Sequence, residues 1–402
     1  MNEKIYAYAD FDFFPSPELI GYLLVEDIPR RGLRYRFEFD AGWQEQHGNI
    51  PLCSSLGMES LYSSEISMPF IKDSFPDRWG KNLIYRYNAK RNEKEGKRPR
   101  LCTDLDYLLG VADFSRKGGI RFCREDKKYL APSGEVPVPP ISRLGDYIKM
   151  IKDYEDNGIK SGLLSDFYSS SSSLGGARPK INIVDNDSTL WIAKVPSRND
   201  TYDVGGWEYL TSILARKAGI NMAEARVIRH TSGRNTLLSK RFDRNGRKRI
   251  HMASLASFVN EASDDASFLD VAEAIVQFSY QPQKDLKELF RRLVFSAMVN
   301  NTDNHLHNHS FLLDENGWHL SPAYDINPSI DGRESVLSID GDVKTFSIDV
   351  IMETAVFYDM TRAEELDLIN EVRSAVSLWE REARRIGLED EISLIRPAFK
   401  LF

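Results

Sequence analysis

Asp303 and Asn308 stand at the two ends of the run Asp303-Asn304-His305-Leu306-His307-Asn308. An aspartate and an asparagine with four residues between them suit phosphoryl transfer. The carboxylate accepts the proton of an attacking hydroxyl, or orients that hydroxyl. The asparagine carbonyl ligates magnesium. Both groups ride on one short loop beside the phosphate that moves. A second carboxylate follows in Tyr324-Asp325-Ile326. Magnesium takes one or two protein groups and fills its shell with phosphate oxygens and water, so Asn308 and Asp325 suffice as ligands. The spacing alone is a weak signal, because chance produces it in many chains. Its weight rests on the order of the surrounding groups.

Upstream, Trp191-Ile192-Ala193-Lys194 places a lysine on an apolar strand, like the V-A-I-K pattern of protein kinases. Such a lysine neutralises phosphate charge, and Glu208 on the next helix is the carboxylate expected to fix it. Before these strands comes Gly175-Gly176-Ala177. With no bulky side chain in the way, its backbone N–H groups can approach phosphate closely. It is neither a Walker A sequence nor G-x-G-x-x-G. A competing chemistry is zinc binding. His305, His307 and His309 alternate, and a strand would put them on one face. His305 is better suited to bracing the catalytic loop through hydrogen bonds.

The elements that must hold these groups can be outlined. Tyr6–Phe14 and Leu33–Phe39 are aromatic-rich and read as strands. Phe75-Pro76-Asp77-Arg78-Trp79-Gly80 opens a helix through Arg86, with proline just inside its start. Asn88–Arg100 is highly charged and reads as a solvated loop. Leu101–Val111 reads as a short helix and Gly119–Cys123 as a strand. Ala131–Pro140 is proline-rich and reads as a linker. Strands are expected at Ile181–Val184, Leu190–Val195, Val227–Ile228 and Thr236–Phe242. Gly206–Ala218 has helical periodicity and ends at Gly219. Beyond residue 250, helices are expected at 253–261, 266–278, 284–299 and 361–386. After the catalytic run comes a hairpin, Ser310–Leu313 and Trp318–Leu320 around Glu315-Asn316-Gly317.

A chain of 402 residues holds two or three domains. Its net charge of -7 argues against non-specific binding to nucleic acid, so any DNA contact is expected through a partner. Cys53, Cys102 and Cys123 are odd in number, widely spaced and without a C-x-x-C. That argues against a disulfide framework or a Cys-based zinc site and fits a reducing compartment. No apolar run approaches the roughly 18 residues of a membrane span. The first residues lack a signal-peptide pattern, so the expected location is cytoplasmic and off the membrane.

Nearly the whole chain resembles the HipA kinases of bacterial toxin–antitoxin systems. The matching runs are Phe75-Pro76-Asp77-Arg78-Trp79-Gly80, Asp106-Tyr107-Leu108-Leu109-Gly110-Val111 and Gly175-Gly176-Ala177-Arg178-Pro179-Lys180. They continue with Arg241-Phe242-Asp243-Arg244, Thr302-Asp303-Asn304-His305 with Asn308, and Tyr324-Asp325-Ile326. The resemblance implies an α+β, protein-kinase-like bilobal fold. Its parts would be a β-rich N-terminal domain over 1–130, a β-rich lobe with phosphate loop and hinge over 140–249, and a helical lobe over 250–402. ATP and Mg2+ are the implied cofactors, and a serine or threonine hydroxyl of a protein the implied acceptor.

Residue by residue, the resemblance implies Asp303 as catalytic base and Asn308 and Asp325 as metal ligands. Lys194 would hold the phosphates, with Lys180 near the Gly175, Gly176 and Ala177 loop. Leu238–Asp243 would form the adenine hinge, which brings Asp243 to the nucleotide. Ser173 matches the serine that such kinases autophosphorylate, and a phosphate there would disfavour the loop's fit over ATP. Family members phosphorylate aminoacyl-tRNA synthetases and are silenced by a helix-turn-helix antitoxin, through which DNA is reached. Two other readings stay open: a catalytically silent, nucleotide-binding regulatory subunit, and a small-molecule kinase.

Overall fold

Residues near the N-terminus alternate in and out of a core. Glu3–Ala9 accordingly forms strand β1, with Ile5, Ala7 and Ala9 fully buried. β1 pairs antiparallel with β2 (Glu18–Ile28) on one edge and β4 (Ile120–Cys123) on the other. β3 (Gly32–Phe39) completes the order β3-β2-β1-β4. The structure, a computed structural model, describes residues 3–54, 62–76, 78–98, 100–124, 138–157, 178–230, 233–259 and 265–400. The strand expected over Tyr6–Phe14 stops at Ala9. Beyond it the Phe14 N–H donates to the Phe11 carbonyl, and the Phe11 ring packs on Phe14 at 5.3 Å. The aromatic run is therefore a turn that fills a cluster.

Helix Arg78–Lys94 overruns the loop expected from Asn88. Its charged residues are good helix formers, and exposed charge does not oppose a helix. Helix Asp104–Gly110 starts at a capping box. The Thr103 hydroxyl accepts from the Asp106 N–H, and the Asp106 carboxylate accepts from the Thr103 N–H at 2.7 Å. Thr103→Ala should therefore lower stability by about 1 kcal/mol, read as an earlier midpoint in urea unfolding.

The chain divides into two compact units. One comprises Met1–Asn199 with Lys240–Met252, and the other Asp200–Ser239 with Ala253–Phe402. These bounds differ from the expected 1–130, 140–249 and 250–402. Most of the expected linker lies outside the described residues. Its end is tied down, because the Val184 N–H donates to the Pro139 carbonyl at 3.0 Å. In the same first unit β5 (Lys180–Val184) and β6 (Leu190–Lys194) form an antiparallel hairpin. Alternation puts Ile181, Ile183, Trp191 and Ala193 on one face, all of them buried.

In the second unit, Asp203 caps helix Val204–Lys217, which ends where Gly219 adopts φ +79°. β7 (Ala225–Arg229) then pairs with β8 (Asn235–Lys240). The chain returns to the first unit in a short antiparallel ribbon, β9 (Arg244–Asn245) with β10 (Lys248–Arg249). β11 (His251–Ser254) and a single 3-10 turn, Leu255–Ser257, replace the helix expected at 253–261. A short apolar run carries no periodicity that separates the two. Helix Pro282–Met298 is the axis of the second unit, with Leu286, Leu289, Phe290, Leu293 and Phe295 buried. It packs against Phe268–Phe278 and Arg362–Val376. The helix expected over 361–386 breaks in two at Ser377 and Leu378, and its second part is Trp379–Arg385. The expected hairpin forms as β12 (Ser310–Asp314) and β13 (Gly317–Leu320). The fold is α+β. No helix among the described residues is long and apolar enough to cross a membrane.

Candidate active site

The first unit presents the lysines. In the β5–β6 hairpin Lys180 is the register partner of Lys194, so both side chains rise from the same face. Two lysines side by side on one face are of the type that neutralises phosphate charge. Lys180 is buried and Lys194 half-buried.

Asp243, expected at the nucleotide hinge, is buried among donors. Its side chain is only 4% exposed. Arg241 donates to both carboxylate oxygens, Arg244 to Oδ2 at 2.8 Å, and the Gly118 N–H to Oδ2 at 2.9 Å. Bonded in this way, the carboxylate is a structural anchor. Burial alone would raise its pKa, but Arg241 and Arg244 override that and hold it well below the usual carboxylate range.

The depressed pKa fixes a sign. The stabilisation is complete above the unfolded carboxyl value of about 3.9 and is lost as pH falls through the folded value. Asp243→Asn leaves two guanidiniums buried without their counter-charge, at a cost of about 3–5 kcal/mol. Urea unfolding should show that loss at pH 7, and a flatter response of the variant to acid below pH ~4.

The second unit presents the Asp303–Asn308 run. Residues 299–309 leave helix Pro282–Met298, and Asn300 takes φ +50°. Asn300 Nδ2 donates to the carbonyls of Ser329 and Gly332, and Lys400 Nζ donates to its Oδ1. Asn301 Nδ2 donates to Asn304 Oδ1 at 2.9 Å, and Asn304 Nδ2 donates back to the Asn301 carbonyl. Asn308 Nδ2 donates to the Asp303 carbonyl at 2.7 Å. That bond occupies the amide nitrogen of Asn308 and leaves its amide oxygen as the acceptor. The Asp303 side chain itself is 73% exposed.

Asp325 joins the same scaffold. It adopts φ +56°, a left-handed conformation that aspartate tolerates better than most residues. Asn327 Nδ2 donates to Asp325 Oδ1 at 3.0 Å, while the Asn327 N–H donates to Asn301 Oδ1 at 3.3 Å. Asn301 thus links the Asp303–Asn308 loop to the Asp325 segment. Helix Val204–Lys217 is tied in as well, since Thr211 Oγ1 donates to the Ile326 carbonyl at 2.6 Å. Glu208 lies one turn before Thr211 and is buried. Glu208 and Lys194 belong to different compact units. Gly175, Gly176, Ala177 and Ser173 lie outside the described residues.

His305 Nε2 stands 3.8 Å from Asp303 Oδ1, and the His305 carbonyl accepts from the Asn308 N–H at 2.8 Å. The asparagines add to that bracing. The zinc reading fails, because Leu306–Asn308 form a 3-10 turn and not a strand. His309 is buried against Phe268, while His307 Nδ1 meets Ser254 Oγ at 3.2 Å. Burial depresses His309 to about 3. Among the described residues no three of His, Cys, Asp and Glu gather as a metal nest. The Asn308 amide oxygen and the Asp325 carboxylate are hard oxygen donors, the type that magnesium takes, and magnesium needs few of them from protein. Asn300, Asn301 and Asn327 were missed from sequence. The signal was the density of asparagine after a long helix, since asparagine tolerates left-handed backbone and bonds locally.

With the geometry in hand, comparison with known proteins places the chain. Residues 172–384 match the family described as HipA-like C-terminal domain. "Putative kinase Y4dM" of Sinorhizobium fredii is 26% identical over 240 residues, covering 53% of this chain. The chain spans 58% of that relative's length. Among solved structures, HipA in the Shewanella oneidensis complex of HipA, HipB and operator DNA is similar with a TM-score of 0.61. That similarity covers 95% of this chain and 93% of HipA at 17% identity, a likeness of fold. The chain belongs to the HipA-like C-terminal domain family.

Proposed function

We propose that this chain is an ATP- and Mg2+-dependent protein serine/threonine kinase. The observation that carries the reading is the asparagine scaffold, which holds the Asp303–Asn308 loop and Asp325 in one hydrogen-bonded network. The Lys180–Lys194 pair supports it. In the reaction, a serine or threonine hydroxyl oxygen bonds the γ-phosphorus as the bond to the ADP oxygen breaks. Asp303 takes the hydroxyl proton. Lys180 and Lys194 neutralise phosphate charge, and Asn308 Oδ1 and Asp325 are the oxygens that would hold the cation. Mg2+, when bound, offsets charge between the β- and γ-phosphates.

The finer reading rests on the family. The Gly175-Gly176-Ala177 segment covers the phosphates, and autophosphorylation at Ser173 switches the kinase off by adding roughly -1.5 to -2 charge. An aminoacyl-tRNA synthetase is the proposed substrate in the cytoplasm. A helix-turn-helix antitoxin is the proposed partner, since the structurally similar HipA is in complex with HipB and operator DNA.

The test is mass spectrometry of residues 161–180 after incubation with ATP and Mg2+, together with a phosphoproteome after brief expression. Phosphate on Ser173 and new serine or threonine sites on a synthetase are expected. A phosphorylated metabolite with no new protein site would replace the reading with a small-molecule kinase. Bound nucleotide with no phosphorylated product would replace it with a silent regulatory subunit.

A further inference from the structure

The lysine hairpin does not stand alone in the first unit. Arg241 touches both of its strands. The Arg241 N–H donates to the Leu190 carbonyl at the start of β6, at 2.9 Å. Its Nη1 donates to Asn182 Oδ1 on β5 at 3.0 Å. Asn182 sits two residues from Lys180, on the same face of the hairpin. Arg241 is therefore bonded to the strands that set where Lys180 and Lys194 rise.

Arg241 is in turn held by the loop between helix Asp104–Gly110 and β4. Its Nη1 donates to the Ser115 carbonyl at 2.6 Å and its Nη2 to the Arg116 carbonyl at 3.3 Å. Asp243 grips the opposite edge of the guanidinium, and the Gly118 N–H grips Asp243. Gly118 is required for that approach. It adopts φ +67°, and a Cβ there would meet the Met252 carbonyl at 2.8 Å. The Arg241 side chain is 2% exposed. A planar guanidinium serves these acceptors in fixed directions, which a lysine ammonium cannot reproduce.

We infer that Arg241 is a positioning residue for the phosphate-binding lysines, and that the loop at 115–118 holds it in place. This rests on the reading that Lys180 and Lys194 bind ATP phosphates. The N-terminal domain then acts on nucleotide without touching it. Loosening Arg241 weakens the grip on ATP while leaving Asp303 and its scaffold intact.

The test uses the full chain with Arg241→Lys and, separately, Asn182→Ala. Steady-state kinetics in ATP would be normalised to the active fraction, and binding of a fluorescent ATP analogue measured directly. Both variants should raise the KM for ATP and the analogue's Kd by about tenfold, with kcat per active molecule within about twofold, the pattern of lost uniform binding. Asn182→Ala decides the matter if Arg241→Lys does not fold, because it leaves the Arg241–Asp243 pair intact. Unchanged KM and Kd, or a fall in kcat alone, would overturn the inference. A wild-type chain that binds no nucleotide would instead overturn the kinase reading beneath it.

Discussion

Asp303→Ala should lower kcat by about 10²–10⁴ while the KM for ATP stays within about twofold. Removal of the carboxylate takes away the proton acceptor for the attacking hydroxyl. It should do little else, because the Asp303 side chain is exposed and the loop is held through its backbone carbonyl by Asn308. Stability should therefore change by no more than about 0.5 kcal/mol. Asp303→Asn is the sharper variant, since it keeps shape and removes basicity. Single-turnover transfer with both variants would check this. A variant that transfers phosphate at the wild-type rate would remove Asp303 from the mechanism.

Lys194→Met should cost about 10² in kcat/KM for ATP, and Lys180→Met a similar amount, since each removes one charge from the phosphate site. Stability is read separately, by thermal unfolding without nucleotide, which gives each variant's structural cost. The protection given by added ATP should shrink in both variants. A variant that loses stability but keeps its affinity for ATP would show the pair to be structural.

The candidate site stands out in the sequence because its residue types are chemically specific. Asp303, Asn308 and Asp325 were singled out by order and spacing, and the structure ties their segments to one scaffold. The opposition of Lys180 to Lys194 was not legible, since hairpin register depends on the turn between them. The burial of Asp243 was not legible, since its motif says nothing of it, and only the folded loop at Gly118 reveals what fills its oxygens. Strand β2 went unread because glycine and charged ends break its alternation. Helix Leu144–Asn157 was hidden behind the proline-rich stretch. The helices that flank the catalytic loop were read well, since long amphipathic periods are the strongest local signal.

The most direct measurement is transfer of labelled γ-phosphate from ATP, with and without Mg2+, using the purified full chain alone and with a candidate synthetase. Magnesium-dependent label on a serine or threonine of the chain or the synthetase is the predicted result. Tight ATP binding with no label on any hydroxyl, under conditions where residues 161–180 carry no phosphate beforehand, would contradict it.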